Sequence, residues 1–473
     1  MPTAGTTEPV PGLADCFALI DMRHAFCLYA LWLTPLCWLA ACQSLPASDA
    51  PAPHAAPQAM ACPTGLPAAT SCLSGTDSEG AHYVIAVPAV WSGVLVLHAH
   101  GGPELGAPKL ERSVEDLKRW SVMVKAGHAW AGSTFRQSGV VVRAAAEDTE
   151  RLRRIFVQHV AQPQRTVLHG QSWGAGVAAI AAEMYAGTGQ PKPAYDAVLL
   201  SSGLLAGGTR AYDVRLDLRV VYQWLCKNHP RPDEAQYPLW MGLPAGAHLS
   251  RSELAARADE CLGLRQPAAE RSAEQQARVR TIVQVVRIPE RSIQGHLNWA
   301  TWHFQDIVQR RTGGLNPFGN TGALYAGSTD DAALNAGVLR YRADPEGVRR
   351  FGADTDPNGR IGVPVLSVHG INDPTVFVEV DSVFQATMAR AGTAGHLVQT
   401  FTDDNEHSYL SDPVYPTLVE ALLQWVGQGV KPTPAGIAAR CPQLEAAFGP
   451  GCRFLPGYRP AALDERTAAR QRP

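Results

Sequence analysis

The chain has 473 residues, of which 46% are hydrophobic and 18% are charged. This composition is typical of a globular protein and excludes a disordered chain, and the length allows two domains or one large domain with an insertion. Lysine and arginine number 41 against 43 for aspartate and glutamate. The near-zero net charge argues against a nucleic-acid partner.

The N-terminal segment has the pattern of a secretion signal. From Met22, a short basic start leads into an apolar stretch and then into small residues. Residues 25–41 are short for a membrane-spanning helix, which usually needs about 20 residues. We therefore expect residues 1–41 to be a signal region in which residues 22–41 are the signal peptide and Met22 is the true start.

A lipid attachment site follows this signal. The sequence LAAC at residues 39–42 resembles the lipobox of bacterial lipoproteins, in which the cysteine is lipidated. We expect Cys42 to hold an exported protein at the membrane of the bacterial cell envelope, in the outer membrane or periplasm. A cleaved signal without a lipid, giving a secreted protein, or a plain anchor is the alternative. Residues 42–60, rich in proline and alanine, predict an extended tether.

Six further cysteines suit an exported chain, because an even number in an oxidising compartment predicts disulfide bonds. Pairing of neighbours along the chain is the simplest arrangement. A zinc site is less favoured, since no CxxC motif occurs. The candidates are Cys62, Cys72, Cys226, Cys261, Cys441 and Cys452.

Predicted strands and helices alternate along residues 61–204. The predicted strands cover 82–90, 93–102, 127–135, 166–170 and 195–203, and the predicted helices cover 145–161 and 174–186. The strand over 93–102 contains the continuous apolar run that a strand buried on both faces requires. The alternation predicts a parallel sheet with helices on both faces.

This alternation stops between residues 205 and 359, where helical, arginine-rich and aromatic segments predict an inserted cap or lid over the sheet. Candidate walls of a substrate pocket are Trp224, Trp240, Trp299, Trp302 and Phe304. The alternation resumes over 360–430, with strands at 363–370 and 396–402 and helices at 378–391 and 416–428. Residues 431–473 predict a peripheral tail.

A single serine stands where a predicted strand turns into a helix. The sequence GQSWG places Gly170 and Gly174 two residues either side of Ser172, the G-x-S-x-G pattern of a nucleophile elbow. Such a tight turn leaves no room for side chains at the two glycine positions. A glycine-rich turn without chemistry is the alternative.

A base and an acid follow in the order that this serine pattern requires. Asp373 in VHGINDPTV and His407 in FTDDNEHSYL each come just after a predicted strand, where open α/β sheets bind ligands. We expect His407 to accept the proton of Ser172 and Asp373 to orient the imidazole. The competing acids are Asp403, Asp404 and Glu406. His169 and His369 are interpreted as structural.

The sequence HAHGGPELG ends a buried strand with two glycines that let the backbone approach a ligand closely. Its Gly102 N–H and the N–H of Trp173 are the candidate oxyanion donors. Residues 354–362 are similar to the start of a calcium loop, but the twelfth position is Val365 instead of glutamate. We interpret that segment as a turn and expect no metal and no cofactor.

The HGGP loop, the GQSWG turn, Asp373 and His407, in this order along the chain, resemble the α/β-hydrolase superfamily over residues 82–204 and 360–430. The resemblance implies an α/β-hydrolase fold, with a mostly parallel sheet, helices on both faces and a helical cap inserted before the acid-bearing strand. It also implies a serine hydrolase. The HGGP loop is similar to that of prolyl-oligopeptidase relatives, but too little chain precedes residue 82 for their propeller.

We therefore predict an exported enzyme that cleaves carboxylic esters through an acyl-enzyme, acting on a small-molecule or oligomeric ester. The aromatic cap suits a bulky or aromatic ester. A peptidase or amidase with the same residues, or a non-catalytic binding lipoprotein, remains the alternative.

Overall fold

The computed structural model describes residues 54–473. The predicted signal region, the Cys42 lipidation site and most of the predicted tether lie outside these residues. The end of that predicted tether, Gln58–Met60, is a strand that pairs with the next one. Within residues 54–473, none of the helices combines the length and the apolar character of a bilayer-spanning segment.

Nine strands form one mixed sheet in the order β1-β2-β3-β5-β4-β6-β7-β8-β9. The strands are β1 Gln58–Met60, β2 Ser71–Thr76, β3 His82–Val87, β4 Val94–Ala99, β5 Ala129–Ser133, β6 Arg165–Gln171, β7 Ala197–Ser201, β8 Val365–Gly370 and β9 Leu397–Thr402. The pairs from β1 to β5 are antiparallel and the pairs from β5 to β9 are parallel. Strands β4, β7 and β8 are buried along their whole length, because helices cover both faces of the sheet.

The helices follow the strands in the alternating order that the sequence predicts. They are α1 Leu110–Arg119, α2 Ser121–Lys125, α3 Val142–His159, α4 Trp173–Tyr185, α5 Gly208–Ala211, α6 Asp213–Cys226, α7 Arg251–Leu262, α8 Ala273–Val286, α9 Ile293–Asn298, α10 Phe304–Asp306, α11 Asp331–Gly337, α12 Pro345–Thr355, α13 Val380–Arg390, α14 Val414–Gln428, α15 Pro434–Arg440, α16 Glu445–Phe448 and α17 Leu463–Arg466. Two π-helical segments, Trp299–His303 and Ile307–Arg311, flank α10.

Two apolar cores lie on opposite faces of the sheet. Helices α3, α4 and α13 contribute to one core, and α1, α2 and α14 contribute to the other. This strand order, with its parallel region and its helices on both faces, is that of the α/β-hydrolase fold. The predicted fold class is therefore confirmed. The strands β1 and β2 and the helices α1 and α2 are additions to the predicted elements.

The segment between β7 and β8, residues 205–359, folds into helices α5–α12 around an apolar core of its own. We call this segment the cap. At the end of the cap lies the stretch that is similar to a calcium loop. Its carboxylates accept hydrogen bonds from backbone N–H groups of this protein. Asp354 accepts hydrogen bonds from the backbone of Val142 and Arg143 at the start of α3, at 2.9 and 3.0 Å. Asp356 accepts one from the backbone of Thr209 at 3.2 Å.

The C-terminal tail is not peripheral, contrary to the prediction. The side chain of Arg470 is buried and pairs with Asp217 of α6 at 2.7 Å, and Asp213 lies 3.5 Å away. Leu463 is buried in the cap core. Ion pairs between residues so far apart in sequence leave no local pattern, so a run of prolines and arginines is indistinguishable from a loose tail.

Three disulfide bonds join the six cysteines as neighbours along the chain: Cys62–Cys72, Cys226–Cys261 and Cys441–Cys452. The first links the strand β2 to the segment before it. The second links α6 to α7 within the cap, and the third closes a short loop in the tail.

Candidate active site

Ser172 occupies a sharp turn between β6 and α4. Its backbone has φ +58° and ψ −122°, a conformation that non-glycine residues rarely adopt and that costs about 1–3 kcal/mol. A Cβ at Gly170 would lie 2.3 Å from the carbonyl oxygen of Gly174, and one at Gly174 would lie 2.1 Å from that of Ala99. Both clashes are with backbone, so the turn requires both glycines.

His407, in the loop after β9, connects this serine to a carboxylate. Its Nε2 is 2.7 Å from Ser172 Oγ, and its Nδ1 is 2.7 Å from Asp373 Oδ2. Because Asp373 only accepts, Nδ1 carries the proton and Nε2 is free to accept the serine proton. The structure thus brings together Ser172, His407 and Asp373, which are distant in sequence.

Asp373 is held in place by its own loop. Its second oxygen, Oδ1, accepts hydrogen bonds from the backbone of Thr375 at 2.8 Å and of Val376 at 3.0 Å. Burial favours a raised pKa for this carboxyl, but His407 and His369 outweigh burial and hold the pKa well below its usual range. The group is therefore an anion at neutral pH, as orientation of the His407 ring requires.

His369 touches the same carboxylate from the buried side. Its Nδ1 is 2.6 Å from Asp381 Oδ2, and its Nε2 is 3.0 Å from the carbonyl oxygen of Val376 and 3.3 Å from Asp373 Oδ2. Burial alone would lower the pKa of His369. The carboxylates of Asp381 and Asp373 have a larger effect in the opposite direction and raise the pKa to about 10. Both ring nitrogens face acceptors, so both carry protons.

The predicted oxyanion donors lie beside the serine. Gly102, with φ +71°, and Trp173 at the start of α4 line one cavity with Ser172. In the described part of the chain, neither N–H has a hydrogen-bond partner. Both are therefore free to bind an oxygen in this cavity.

Two side chains hold the loop that carries Gly102. Arg112 donates to the carbonyl oxygen of Gly101 at 2.6 Å, and His303 of the cap donates to that of Pro103 at 2.9 Å. A second cap histidine, His296, donates to the carbonyl oxygen of Pro374, next to Asp373, at 2.9 Å. The cap is thus tied to both loops that flank Ser172.

The cavity at Ser172 has a volume of about 260 Å³ and lies between the sheet and the cap. Trp299, a predicted pocket wall, lines it together with Tyr212 of the cap and Leu204, which lies just before the cap. The other four predicted walls pack on the apolar core of the cap instead: Trp224, Trp240, Trp302 and Phe304.

The competing residues have other partners. Asp404 pairs with Arg453, and Glu406 pairs with Arg291. Asp403 is exposed, and its backbone N–H bonds to Arg453. The ring of His169 is buried against His98 and Ser201, in line with a structural role.

Three residues near the site were missed by sequence reasoning: Arg215, His296 and His303. A signal for Arg215 exists in α6. Charged residues alternate along DVRLDLR, at 213, 215, 217 and 219, and helical geometry puts the aspartates and the arginines on different faces. At least one charged face of such a helix has to be buried.

No protein-family model and no curated protein matches the chain. Solved structures do match. An esterase from Aspergillus oryzae aligns with 13% identity and a TM-score of 0.40, over 77% of this chain and 81% of that one. The rice cell wall degrading esterase LipA from Xanthomonas oryzae aligns with 13% identity and a TM-score of 0.35, over 71% and 83% of the two chains.

A puromycin hydrolase aligns with 13% identity and a TM-score of 0.36, over 79% of this chain and 40% of that one. Likenesses of this size do not transfer a reaction or a substrate to this chain.

Proposed function

We propose that this protein is a serine hydrolase that cleaves carboxylic esters through an acyl-enzyme formed on Ser172. The observation that carries the proposal is the line of two 2.7 Å contacts from Ser172 through His407 to Asp373. It opens into a cavity that also holds the free N–H groups of Gly102 and Trp173. A nucleophile, a base, an orienting acid and an anion site are the parts that acyl transfer needs.

The first half of the reaction transfers the acyl group to the enzyme. Ser172 Oγ attacks the ester carbonyl while His407 Nε2 takes the hydroxyl proton. The negative charge that forms on the carbonyl oxygen is stabilised by the N–H groups of Gly102 and Trp173. His407 then returns the proton to the departing alcohol as the C–O bond breaks, which leaves the acyl group on Ser172.

The second half repeats these steps with water as the nucleophile. His407 Nε2 takes a proton from water, and the resulting hydroxide attacks the acyl carbonyl. The second tetrahedral anion uses the same two N–H groups. Its collapse releases a carboxylic acid and returns the proton to Ser172. Throughout, Asp373 keeps the Nδ1 proton in place and stabilises the His407 imidazolium.

The test of this proposal compares ester and amide hydrolysis. We expect purified protein to hydrolyse p-nitrophenyl esters faster than aminoacyl p-nitroanilides. The Ser172→Ala variant should lose turnover by several orders of magnitude while its melting temperature stays close to that of the wild type, because one hydroxyl contributes little to stability. Faster anilide turnover would point to the peptidase or amidase. Failure of a fluorophosphonate probe to label the folded protein would point to a non-catalytic protein.

We propose, as a separate point, that the protein is exported and lipidated on Cys42. Three disulfide bonds support an oxidising compartment, where such bonds persist. Globomycin blocks the peptidase that processes lipoprotein precursors. We expect a longer precursor to accumulate in treated cells, and we expect the length of the Cys42→Ala variant to be the same with and without globomycin.

A further inference from the structure

A buried arginine of the cap lines the cavity at Ser172. Arg215 lies on α6, and only 3% of its surface is exposed. It shares the cavity with Ser172 and His407, together with Tyr212 and Trp299. The mechanism proposed above does not use this side chain.

The guanidinium group of Arg215 has few partners. Its Nη1 donates to the carbonyl oxygen of Ala211 at a long 3.3 Å, and its Nε is buried without a partner. Among the described residues, no carboxylate lies within 4.0 Å of it. The guanidinium group of Arg470, whose side chain is also buried, pairs in contrast with Asp217 at 2.7 Å.

Burial does not remove the charge of Arg215. Desolvation lowers its pKa, but only to about 10, so the group is a cation at neutral pH. An unpaired buried cation is costly, which is why proteins almost always pair such groups. The partner that the fold does not supply would have to come from a molecule in the cavity.

The surroundings of Arg215 favour an anion of planar shape. The guanidinium carbon lies 4.5 Å from the ring centre of Trp299 and 5.1 Å from that of Tyr212, so two aromatic rings fix its orientation. Two more arginines, Arg112 and Arg119, line the cavity, whose lining residues include no aspartate or glutamate. A guanidinium group held in this way matches the two oxygens of a carboxylate.

We propose that Arg215 binds a carboxylate carried by the substrate, so that the preferred substrate is an ester with a negatively charged acyl or alcohol part. This inference rests on the proposed ester hydrolysis and specifies its substrate class. It makes Arg215 the specificity-determining residue of the site.

The kinetic test uses ester pairs of equal size that differ in one carboxylate. For the acyl side, mono-p-nitrophenyl glutarate is compared with p-nitrophenyl 5-methylhexanoate, whose terminal isopropyl group has the size of the carboxylate. For the alcohol side, p-acetoxybenzoate is compared with p-acetoxybenzamide. We expect kcat/KM to favour the anionic ester in at least one pair, and Arg215→Met to reduce this preference by roughly 100-fold.

Two further variants control for structural damage. Arg219 is one turn further along α6, is equally buried and lacks a carboxylate partner within the described residues, but it does not line the cavity. Arg219→Met should therefore leave the anionic-to-neutral ratio within about twofold of the wild type, whatever it does to stability. Arg215→Lys keeps the positive charge but lacks the planar guanidinium group with its paired N–H donors. It should therefore retain part of the preference.

A binding measurement separates this inference from the proposed function. Titration of Ser172→Ala with glutarate and with benzoate should show binding by at least one of them that is lost in Ser172→Ala/Arg215→Met. Turnover of neutral esters without any preference for anionic ones would overturn the inference and leave the proposed function intact. If no ester is hydrolysed, the proposed function fails. Equal carboxylate binding by Ser172→Ala and Ser172→Ala/Arg215→Met would overturn the inference about Arg215. Binding of inorganic phosphate in place of both carboxylates would overturn the assignment to a carboxylate.

Discussion

The carboxylate of Asp373 contacts two imidazole rings that carry different numbers of protons. His407 donates one N–H to it and leaves Nε2 free for the serine, whereas His369 faces acceptors with both nitrogens. The outer ring is therefore built to exchange a proton, and the inner ring is built to keep both of its protons. This difference arises from what each ring nitrogen faces, since the two residues are chemically identical.

We expect Asp373→Asn to reduce kcat/KM for a p-nitrophenyl ester by about 10⁴-fold. The amide of asparagine can present an N–H to His407 Nδ1, which would favour the wrong tautomer. Asp403→Asn is the matched control, because Asp403 is an exposed acid in the loop of His407. Near-normal activity of Asp373→Asn would instead place the acid among residues 403–406.

His369 predicts a pH dependence of stability. Its pKa in the folded protein, about 10, is above the unfolded value of 6.5. Its contribution to stability is therefore fully present below pH 6.5 and is lost as the pH rises towards 10. Urea denaturation at pH 6 and pH 9.5 should show that His369→Gln is destabilised more at pH 6 than at pH 9.5, relative to the wild type. An equal difference at both pH values would contradict a charged His369.

At the scale of elements, the turn between β6 and α4 depends on close contact between neighbouring backbones. Gly174 packs against the end of β4, which leads directly into the loop with Gly102. The nucleophile turn and the anion site are therefore in contact through one glycine. A change that pushes them apart affects both.

Gly174→Ala should abolish ester hydrolysis and reduce the yield of folded protein, because the added methyl would meet the carbonyl oxygens of Ala99 and His100 at 2.1 and 2.4 Å. The matched control is Gly427→Ala in α14. A Cβ at Gly427 has no neighbour within 4 Å, so this change should be neutral or stabilise by up to about 1 kcal/mol. Activity and melting temperature of both variants test the comparison.

The elements that the sequence predicts best are those buried on both faces. Apolar runs such as VLVLHA of β4 have one interpretation, whereas the half-exposed β2, SCLSGT, has no alternation that marks it as a strand. The positions of Ser172, Asp373 and His407 were predicted because each follows such a buried strand. Arg215 could not be assigned in this way, because a charged residue in a helix is normally exposed.

At the scale of the whole molecule, the tail and the cap are held together by charge. Arg470 is inserted beside Asp213 and Asp217, and Arg472 pairs with Asp213 at 2.6 Å. The two aspartates are buried, so they depend on a cation supplied by the other end of the described chain.

Arg470→Ala should lower the free energy of unfolding by about 3–5 kcal/mol, since it leaves a buried carboxylate without its partner. Arg459→Ala is the control, because that exposed side chain donates only to nearby backbone carbonyl groups within the described residues. Chemical denaturation of both variants provides the measurement. A loss below about 1 kcal/mol for Arg470→Ala would mean that the pair behaves like a surface ion pair.

Asp217 and Arg470 are separated by 253 residues. Chains leave the ribosome N-terminus first, so α6 is synthesised long before the cation that neutralises it. In a nascent chain, Asp213 and Asp217 therefore lack their cation until residue 470 has been synthesised. A nascent chain arrested before residue 470 should be cut by proteases within the cap, whereas the same segment of the released protein should resist them.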